Sequence, residues 1–220
     1  MNYAGLVFVA KSLNRQDVKG KRVVELGSWD ENGAIRRLLT SYTPLEYVGV
    51  DIKAGKRVDV VCSAEDSVGR FGKGSFDVVI ATELIEHTKD WRKVVSNIKN
   101  LLKPEGVMVL TTRSLGVPFH AFPRDYWRYE VEDIASILSD CQVLQIERDW
   151  ERPGVFVRAV MPVSFKENDL SGIELYSMAL GKRTRALERE DESLIYKLKV
   201  GRSRLRDIYY ELGHWMMERI

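Results

Sequence analysis

The chain is poor in the features that would tie it to an oxidising compartment, a membrane or a polyanion. Cysteine is scarce: Cys62 and Cys141 are the only two in 220 residues. Both sit in apolar, strand-like runs, which argues against a disulfide framework and for buried thiols in a reducing compartment. Long apolar runs are missing as well. Leu6-Val7-Phe8-Val9-Ala10 falls far short of the roughly 20 residues that span a bilayer. No basic segment precedes it and no convincing cleavage site follows, so no signal peptide is expected. An excess of one charge is also lacking. The 34 Lys and Arg against 32 Asp and Glu leave a net charge of +2, which gives no global pull toward nucleic acid or a membrane surface. The expectation is a soluble cytoplasmic protein of one domain plus an extension. The 45% hydrophobic content is enough for a real core.

Strand-like and helical patterns alternate up to about residue 140, which predicts a parallel α/β sheet. Strand candidates are Arg22–Leu26, Tyr47–Val50, Val58–Cys62, Phe76–Ala81 and Val107–Leu110. A helix before the first strand is expected over residues 1–18, where it could cover a pocket. Ile35, Leu38 and Leu39 mark a helix after the first strand. Asp90 reads as an N-cap, with Trp91, Val94, Val95, Ile98, Leu101 and Leu102 on one buried face. Pro104-Glu105-Gly106 is expected to end that helix, and a short helix follows at residues 130–139. Val143–Ile146 and Val155–Val160 have no room for a helix between them, only Arg152-Pro153-Gly154 at the turn, so they should form an antiparallel hairpin. From about residue 165 the pattern turns charged and helical. The predicted division is residues 1–163 as the domain and residues 164–220 as a helical extension. Leu194, Leu198, Leu205, Ile208, Leu212 and Trp215 form an apolar stripe there, a surface for packing on the domain or for a homodimer. Lys197, Lys199, Arg202, Arg204 and Arg206 read as a solvated basic face.

Three short segments carry the chemistry. The first strand runs into Glu25-Leu26-Gly27-Ser28, where a glycine lets backbone approach a ligand. Asp51 follows Gly27 by 24 residues and ends the second strand, where a carboxylate can accept both hydroxyls of a ribose. Together they favour an adenosine-containing cofactor. A nicotinamide site would want Gly-x-Gly-x-x-Gly; Gly27 and Gly33 are present but the middle glycine is absent, which argues against a pyrophosphate. Third, Glu83-Leu84-Ile85-Glu86-His87 closes the fourth strand. A helix starting at Glu83 would put Glu83, Glu86 and His87 on one face, a ligand set for a divalent cation.

With these segments in view the sequence resembles the class I S-adenosylmethionine-dependent methyltransferases, of the methyltransferase type 11 kind. The resemblance covers roughly residues 20–162. It rests on Val24-Glu25-Leu26-Gly27-Ser28, Val48-Gly49-Val50-Asp51, Phe76–Glu83, Leu101-Leu102-Lys103-Pro104-Glu105-Gly106 and the terminal hairpin. It implies a Rossmann-like seven-stranded sheet, mostly parallel with a terminal antiparallel hairpin. It also implies S-adenosylmethionine as methyl donor, with Gly27 and Ser28 against its methionine part, Glu25 supporting that loop, and Asp51 and Ile52 at the ribose. Ala64 and Glu65 would border the adenine, and the stretch from Ala81 through Thr82 would line the methionyl end. Ser63 stands where many members carry an Asp, leaving Glu65 or Asp66 to replace it.

Glu-x-x-Glu-His also resembles metal-dependent methyltransferases of small-RNA 3′ ends and of quinone precursors. That implies a site of Glu83, Glu86, His87 and His120 holding Mg²⁺, Mn²⁺ or Zn²⁺, which would activate a hydroxyl. Without a metal, His87 or His120 becomes the candidate base, with Glu83 beside it. Phe119–Tyr129 is aromatic and basic and should overhang the pocket. Arg124 or Arg128 there could hold a phosphate or carboxylate, while Tyr126 and Trp127 have packing as their plainer role. The Asp125–Tyr129 pattern resembles methyltransferases of surface-glycan pathways. The first expectation is therefore O-methylation of a sugar, glycan or nucleotide-like hydroxyl. N- or C-methylation of a small molecule and a non-catalytic cofactor-binding scaffold are the alternatives. An RNA end stays open as a substrate, although the balanced charge argues against broad nucleic-acid affinity.

Overall fold

Valine-rich strands place apolar side chains on both faces of a central sheet, as a sheet buried on two sides requires. The structure, a computed structural model, describes residues 2–29, 34–120, 124–188, 194, 196–203 and 205. Its elements are α1 (Tyr3–Ser12), α2 (Arg15–Val18), β1 (Arg22–Leu26), α3 (Ala34–Thr40), β2 (Glu46–Asp51) and β3 (Val60–Val61). There follow α4 (Ser67–Phe71), β4 (Phe76–Thr82), α5 (Trp91–Leu101), β5 (Leu102–Arg113), β6 (Trp127–Arg128) and α6 (Val131–Ile137). The chain then forms β7 (Gln142–Arg148), β8 (Gly154–Val160), β9 (Leu175–Ser177) and β10 (Lys182–Thr184).

The main sheet has seven strands in the order β3-β2-β1-β4-β5-β8-β7. Its first five strands are parallel, and β8 and β7 are antiparallel to their neighbours. The methyltransferase-type sheet expected from the sequence is thus present. Alternation along each strand divides the core in two. Val23, Val78, Ile80 and Val109 pack with α1, α2 and α3. Val24, Val79, Ala81, Met108 and Leu110 pack with α5 and α6 on the other face. The strand order reverses between β1 and β4, so their carboxyl ends, Leu26 and Thr82, open a crevice.

Several local expectations change. Residues 3–18 form two short helices, because Asn14 caps α2 with a reciprocal Asn14–Asp17 capping box and breaks the continuous helix. The third strand shrinks to Val60–Val61. Pro104-Glu105-Gly106 does not separate α5 from β5. The helix stops at Leu101, and β5 runs through this stretch with a register shift opposite Phe76 and Val78. Both cysteines are free and half-buried rather than fully buried.

The extension begins as β structure, not helix. β9 pairs with both β10 and β6, and Leu170, Leu175 and Leu187 join the main core. The described residues between 194 and 205 are helical, but the apolar stripe faces outward: Leu194, Leu198 and Leu205 are all more than half exposed. Tyr196, Val200 and Ser203 make the buried face instead. Ile208, Leu212, Trp215, Arg204 and Arg206 lie outside the described residues, as does Gly33. Among the described residues no helix is long and apolar enough to cross a membrane.

Two charges, one fully and one partly buried, tie elements together. Lys99 Nζ, fully buried on α5, donates to the Ile137 carbonyl and to Asp140 at 2.8 Å. Asp77 on β4 accepts from the Arg22 backbone N–H at 2.9 Å and from Lys103 Nζ at 3.0 Å. Burial opposes the Asp77 charge, but these donors outweigh it and hold its carboxyl below the usual range. Folding therefore favours the ionised form, and the stabilisation is complete above about pH 4 and fades as the pH falls below that. Asp77→Asn is expected to cost about 1 kcal/mol near neutrality, and much less near about pH 3. Urea unfolding at both pH values tests this; a cost that stays constant in acid would contradict it.

Candidate active site

A cavity of about 1060 Å³ opens at the carboxyl ends of β1, β2 and β4. At one end Gly27 takes φ +79°, a conformation that favours glycine, and a Cβ there would already touch Leu84 Cδ1 at 3.4 Å. The Gly27 and Ser28 N–H groups both bond the Val50 carbonyl, which locks the β1 turn against β2. Asp51 accepts from the Trp29 and Lys53 backbone N–H groups at 3.2 and 3.0 Å. Its carboxylate is thus oriented at the cavity wall while retaining lone pairs for a diol. Glu25 is nearly buried and accepts the Tyr47 hydroxyl at 2.6 Å. Burial, and then the Glu25 charge, push the Tyr47 hydroxyl pKa far up, so this hydrogen bond persists across the ordinary pH range.

Of the cofactor residues expected from sequence, Glu25, Gly27, Asp51, Ile52, Ala64, Glu65 and Thr82 line this cavity. Ser28 does not. Its side chain is buried under the turn, donates to the Arg57 carbonyl at 3.3 Å and fills the space beside Gly49. Trp29 lines the wall in its place, a role that no sequence signal marked. Ser63 lines the cavity and caps the Glu65 N–H, while Asp66 turns to Lys93 outside. Glu65 is therefore the acid of this segment that lies on the cavity wall.

The other end departs from the helical-face expectation. Glu83 takes φ +53°, a strained conformation for a residue with a side chain, and only a single 3₁₀ turn, Ile85–His87, follows. Glu83 and Glu86 therefore diverge. Glu83 accepts from Thr111 Oγ1 at 2.9 Å and pairs with Arg113 Nε. Arg113 Nη1 reaches Asp149 at 2.8 Å. Glu83 is thereby removed from the expected metal set. Glu86 is fully buried; its Oε2 accepts from Thr112 Oγ1 at 3.0 Å, and its Oε1 is buried with no hydrogen-bond partner. Among the described residues Glu86, His87 and His120 offer ligand atoms that lie within 4.8 Å of one another.

The environment drives these groups apart electrically. Burial raises the pKa of Glu86. Burial, reinforced by His120, pulls His87 down to about 4. Its Nδ1 donates to the Arg124 carbonyl, so neutral His87 keeps an unprotonated Nε2. Burial acts against a charge on His120 too, but the bond to Asp125 and then the Asp125 and Glu86 charges raise it net.

The loop over this end is pinned from beneath. Arg128 is buried and chelates both Asp125 oxygens while reaching the Val117 and Pro118 carbonyls. It holds the loop, and of the two arginines expected there Arg124 is the one on the cavity wall, which Arg113 and Arg152 also line. Trp127 and Tyr129 are core residues, and Tyr126 both packs and lines the cavity. Ala121, Phe122 and Pro123 lie outside the described residues. Tyr196 of the extension was not foreseen: it stacks on Tyr126 at 5.8 Å, meets Phe119 edge-on and bonds the Asp125 backbone. At the opposite rim the α1 cap residue Asn2 donates to Asp149, and Glu151 accepts the Ala4 N–H. The N-terminal helix thus does border the cavity.

Among known proteins, the methyltransferase domain family matches residues 6–148, well over half of the chain. The chain belongs to the class I S-adenosylmethionine-dependent methyltransferases. Solved relatives agree in fold. One is a 1,6-didemethyltoxoflavin-N1-methyltransferase of Burkholderia thailandensis, solved with 1,6-didemethyltoxoflavin and S-adenosylhomocysteine. It is similar at 14% identity and TM-score 0.56, over 73% of this chain and 79% of that one. The CurJ carbon methyltransferase is similar at 19% identity and TM-score 0.50, over 69% of this chain and 50% of that one. A reducing polyketide synthase of Aspergillus oryzae is 40% identical over 55 residues, 25% of this chain and only 2% of that protein's length.

In this methyltransferase, Arg113 bridges two nearly buried carboxylates. Arg113→Met is expected to destabilise it by about 3–5 kcal/mol, because both acids lose the guanidinium that compensates their burial. Adding Glu83→Gln should recover part of that loss. Denaturant unfolding of the single and double variants decides this, and no recovery would show that the pair does not carry the effect.

Proposed function

We propose that this methyltransferase places a methyl group on a hydroxyl of a sugar, glycan or nucleotide-like acceptor. The observation that carries the reading is the Glu86, His87 and His120 cluster beyond the Gly27 and Asp51 end of the cavity. An aliphatic hydroxyl is a weak nucleophile until its proton is taken, and a base near this position answers that need. S-adenosylmethionine supplies an activated methyl carbon on a sulfonium. The cavity fits it: Gly27 admits close approach, Asp51 faces a ribose position, and Glu65 stands at the adenine side. His87 Nε2, unprotonated in the neutral ring, would take the acceptor hydroxyl's proton, and bound S-adenosylmethionine would supply the methyl group. Positioning between the turn at Gly27 and the loop at residues 117–126 supplies the in-line geometry.

A cation also fits. Glu86 Oε1 is an orphaned buried oxygen, and two imidazoles stand beside it. One carboxylate with two imidazoles suits Zn²⁺ or Mn²⁺ better than Mg²⁺, which wants oxygen ligands. Glu86, His87 and His120 would hold the ion, and its chemistry would be to acidify and orient the acceptor hydroxyl. Arg124 on the same wall favours an acceptor that also carries a carboxylate or phosphate. The outward stripe of Leu194, Leu198 and Leu205 supports association of two chains through the extension.

Asp51→Ala is expected to weaken S-adenosylmethionine binding by about tenfold or more in calorimetry, since a charged hydrogen-bond acceptor is lost. His87→Ala should leave that affinity intact and lower turnover by about 10²–10⁴-fold. Turnover is read as transfer of labelled methyl to a panel of glycans and RNA ends, with and without Mn²⁺ or Zn²⁺. Full turnover without His87 would move the assignment to a nitrogen or carbon acceptor. Binding without any transfer would favour the scaffold.

A further inference from the structure

Two exposed aromatic side chains adjoin residues of the cavity wall, Tyr3 next to Asn2 and Trp150 next to Glu151. Trp150, in the turn between β7 and β8, and Tyr3, at the start of α1, are each about two-thirds exposed, 65% and 66%. Their rings meet edge-on at 6.3 Å. Two neighbouring exposed rings, each apolar in body with a polar tip, offer a stacking surface for a partly apolar ligand.

This pair is also rigidly mounted. The buried Asp149 carboxylate takes the Glu151 and Arg152 N–H groups on one oxygen, and Asn2 Nδ2 and Arg113 on the other. Glu151 in turn accepts the Ala4 N–H. The turn and the helix start are thereby fixed to each other and to the site.

Beside Trp150 lies a depression of about 380 Å³, within the range of small-ligand sites. Glu151 and Arg152 line both this depression and the main cavity, so the two adjoin across these side chains. Its other walls include Leu115 and the Glu130–Arg148 pair, whose charges lie 3.7 Å apart. An exposed indole face beside carboxylate–guanidinium edges matches a sugar ring, which presents C–H groups on its face and hydroxyls at its rim. The cations Arg148 and Arg152 are balanced by Glu130 and Glu151, which removes the net positive groove that a nucleic-acid backbone needs.

We propose that Trp150, Tyr3 and the adjoining depression form a second subsite, which binds the sugar next to the one methylated, so that the acceptor is an oligosaccharide chain rather than a free monosaccharide. The proposal rests on the glycan reading of the main site and extends it along the chain of the acceptor.

The test uses the full chain with S-adenosylhomocysteine, fluorescently labelled, on a printed array of mono- and oligosaccharides that also carries RNA oligonucleotides. The wild type is expected to bind saccharides of two or more units. Trp150→Ala should lose about tenfold or more of that binding, the scale of a tryptophan anchor, and Trp150→Phe should keep most of it. S-adenosylmethionine affinity by calorimetry should be unchanged in both variants. Equal array binding by Trp150→Ala and wild type overturns the subsite, as does a wild type that binds no saccharide. Trp150-dependent binding to RNA alone overturns its ligand class. A wild type that fails to bind S-adenosylmethionine sinks the methyltransferase reading instead, and the array then judges the saccharide site by itself.

Discussion

Arg113, the last residue of β5, sets one guanidinium between the carboxylates of Glu83 and Asp149, with almost no solvent around it. Each contact fixes a different part of the site. Through Glu83 it holds a left-handed residue at the end of β4, and so determines where the Glu86 and His87 turn begins. Through Asp149 it holds the β7–β8 turn, and through Asn2 the cap of α1. A buried ion pair is a poor source of net stability, because desolvation offsets much of the attraction. Its contribution here is geometric. Two carboxylates from distant parts of the chain, one of them also held by the Asn2 amide, meet at that guanidinium.

The divergence of Glu83 from Glu86 follows from this arrangement. Had the chain entered a regular helix at Glu83, both carboxylates would face the same way, and two buried negative charges would share one site at high cost. The left-handed turn at Glu83 separates them. One acid is neutralised by arginine, and the other is left beside two histidines with an unsatisfied oxygen. His87 and His120, similar in sequence terms, then differ in their surroundings: burial and the neighbouring His120 pull His87 down despite its bond to the Arg124 carbonyl, while the Asp125 carboxylate raises His120. Environments that push two titratable groups apart are how a single pocket assigns an acid and a base.

The parts of this protein that were legible in the sequence are those governed by local pattern. The Val-rich strands, the α5 face from Trp91 to Leu101, and Gly27 with Asp51 each announce themselves through periodicity or strand-end chemistry. Residues whose role depends on long-range partners were not legible. Ser28 looks like part of a ligand loop until Gly49 and the Arg57 carbonyl claim its hydroxyl. Arg128 looks like a ligand anchor until Asp125 consumes it. The stripe of Leu194, Leu198 and Leu205 has the spacing of a buried face, yet Tyr196 and Val200 make the contact. In that case a larger aromatic area with a hydroxyl to place prevailed over leucine periodicity.

Tyr196 connects that last point to function. Its ring closes a stack with Tyr126 and an edge contact with Phe119, and its hydroxyl bonds the backbone of Asp125. Phe119 and Tyr126 both line the cavity, and Asp125 is the residue that raises His120. The extension therefore packs on the loop of Phe119 and Tyr126 through Tyr196, where the sequence pointed to a helix packing through its leucine stripe. β9 reinforces it by pairing with β6, which follows directly on Tyr126. Ordering each residue of such a loop costs about 1–2 kcal/mol in backbone entropy. Packing from a separate segment helps to meet that cost. Tyr196 and β9 thus support the wall of the cavity formed by Phe119 and Tyr126.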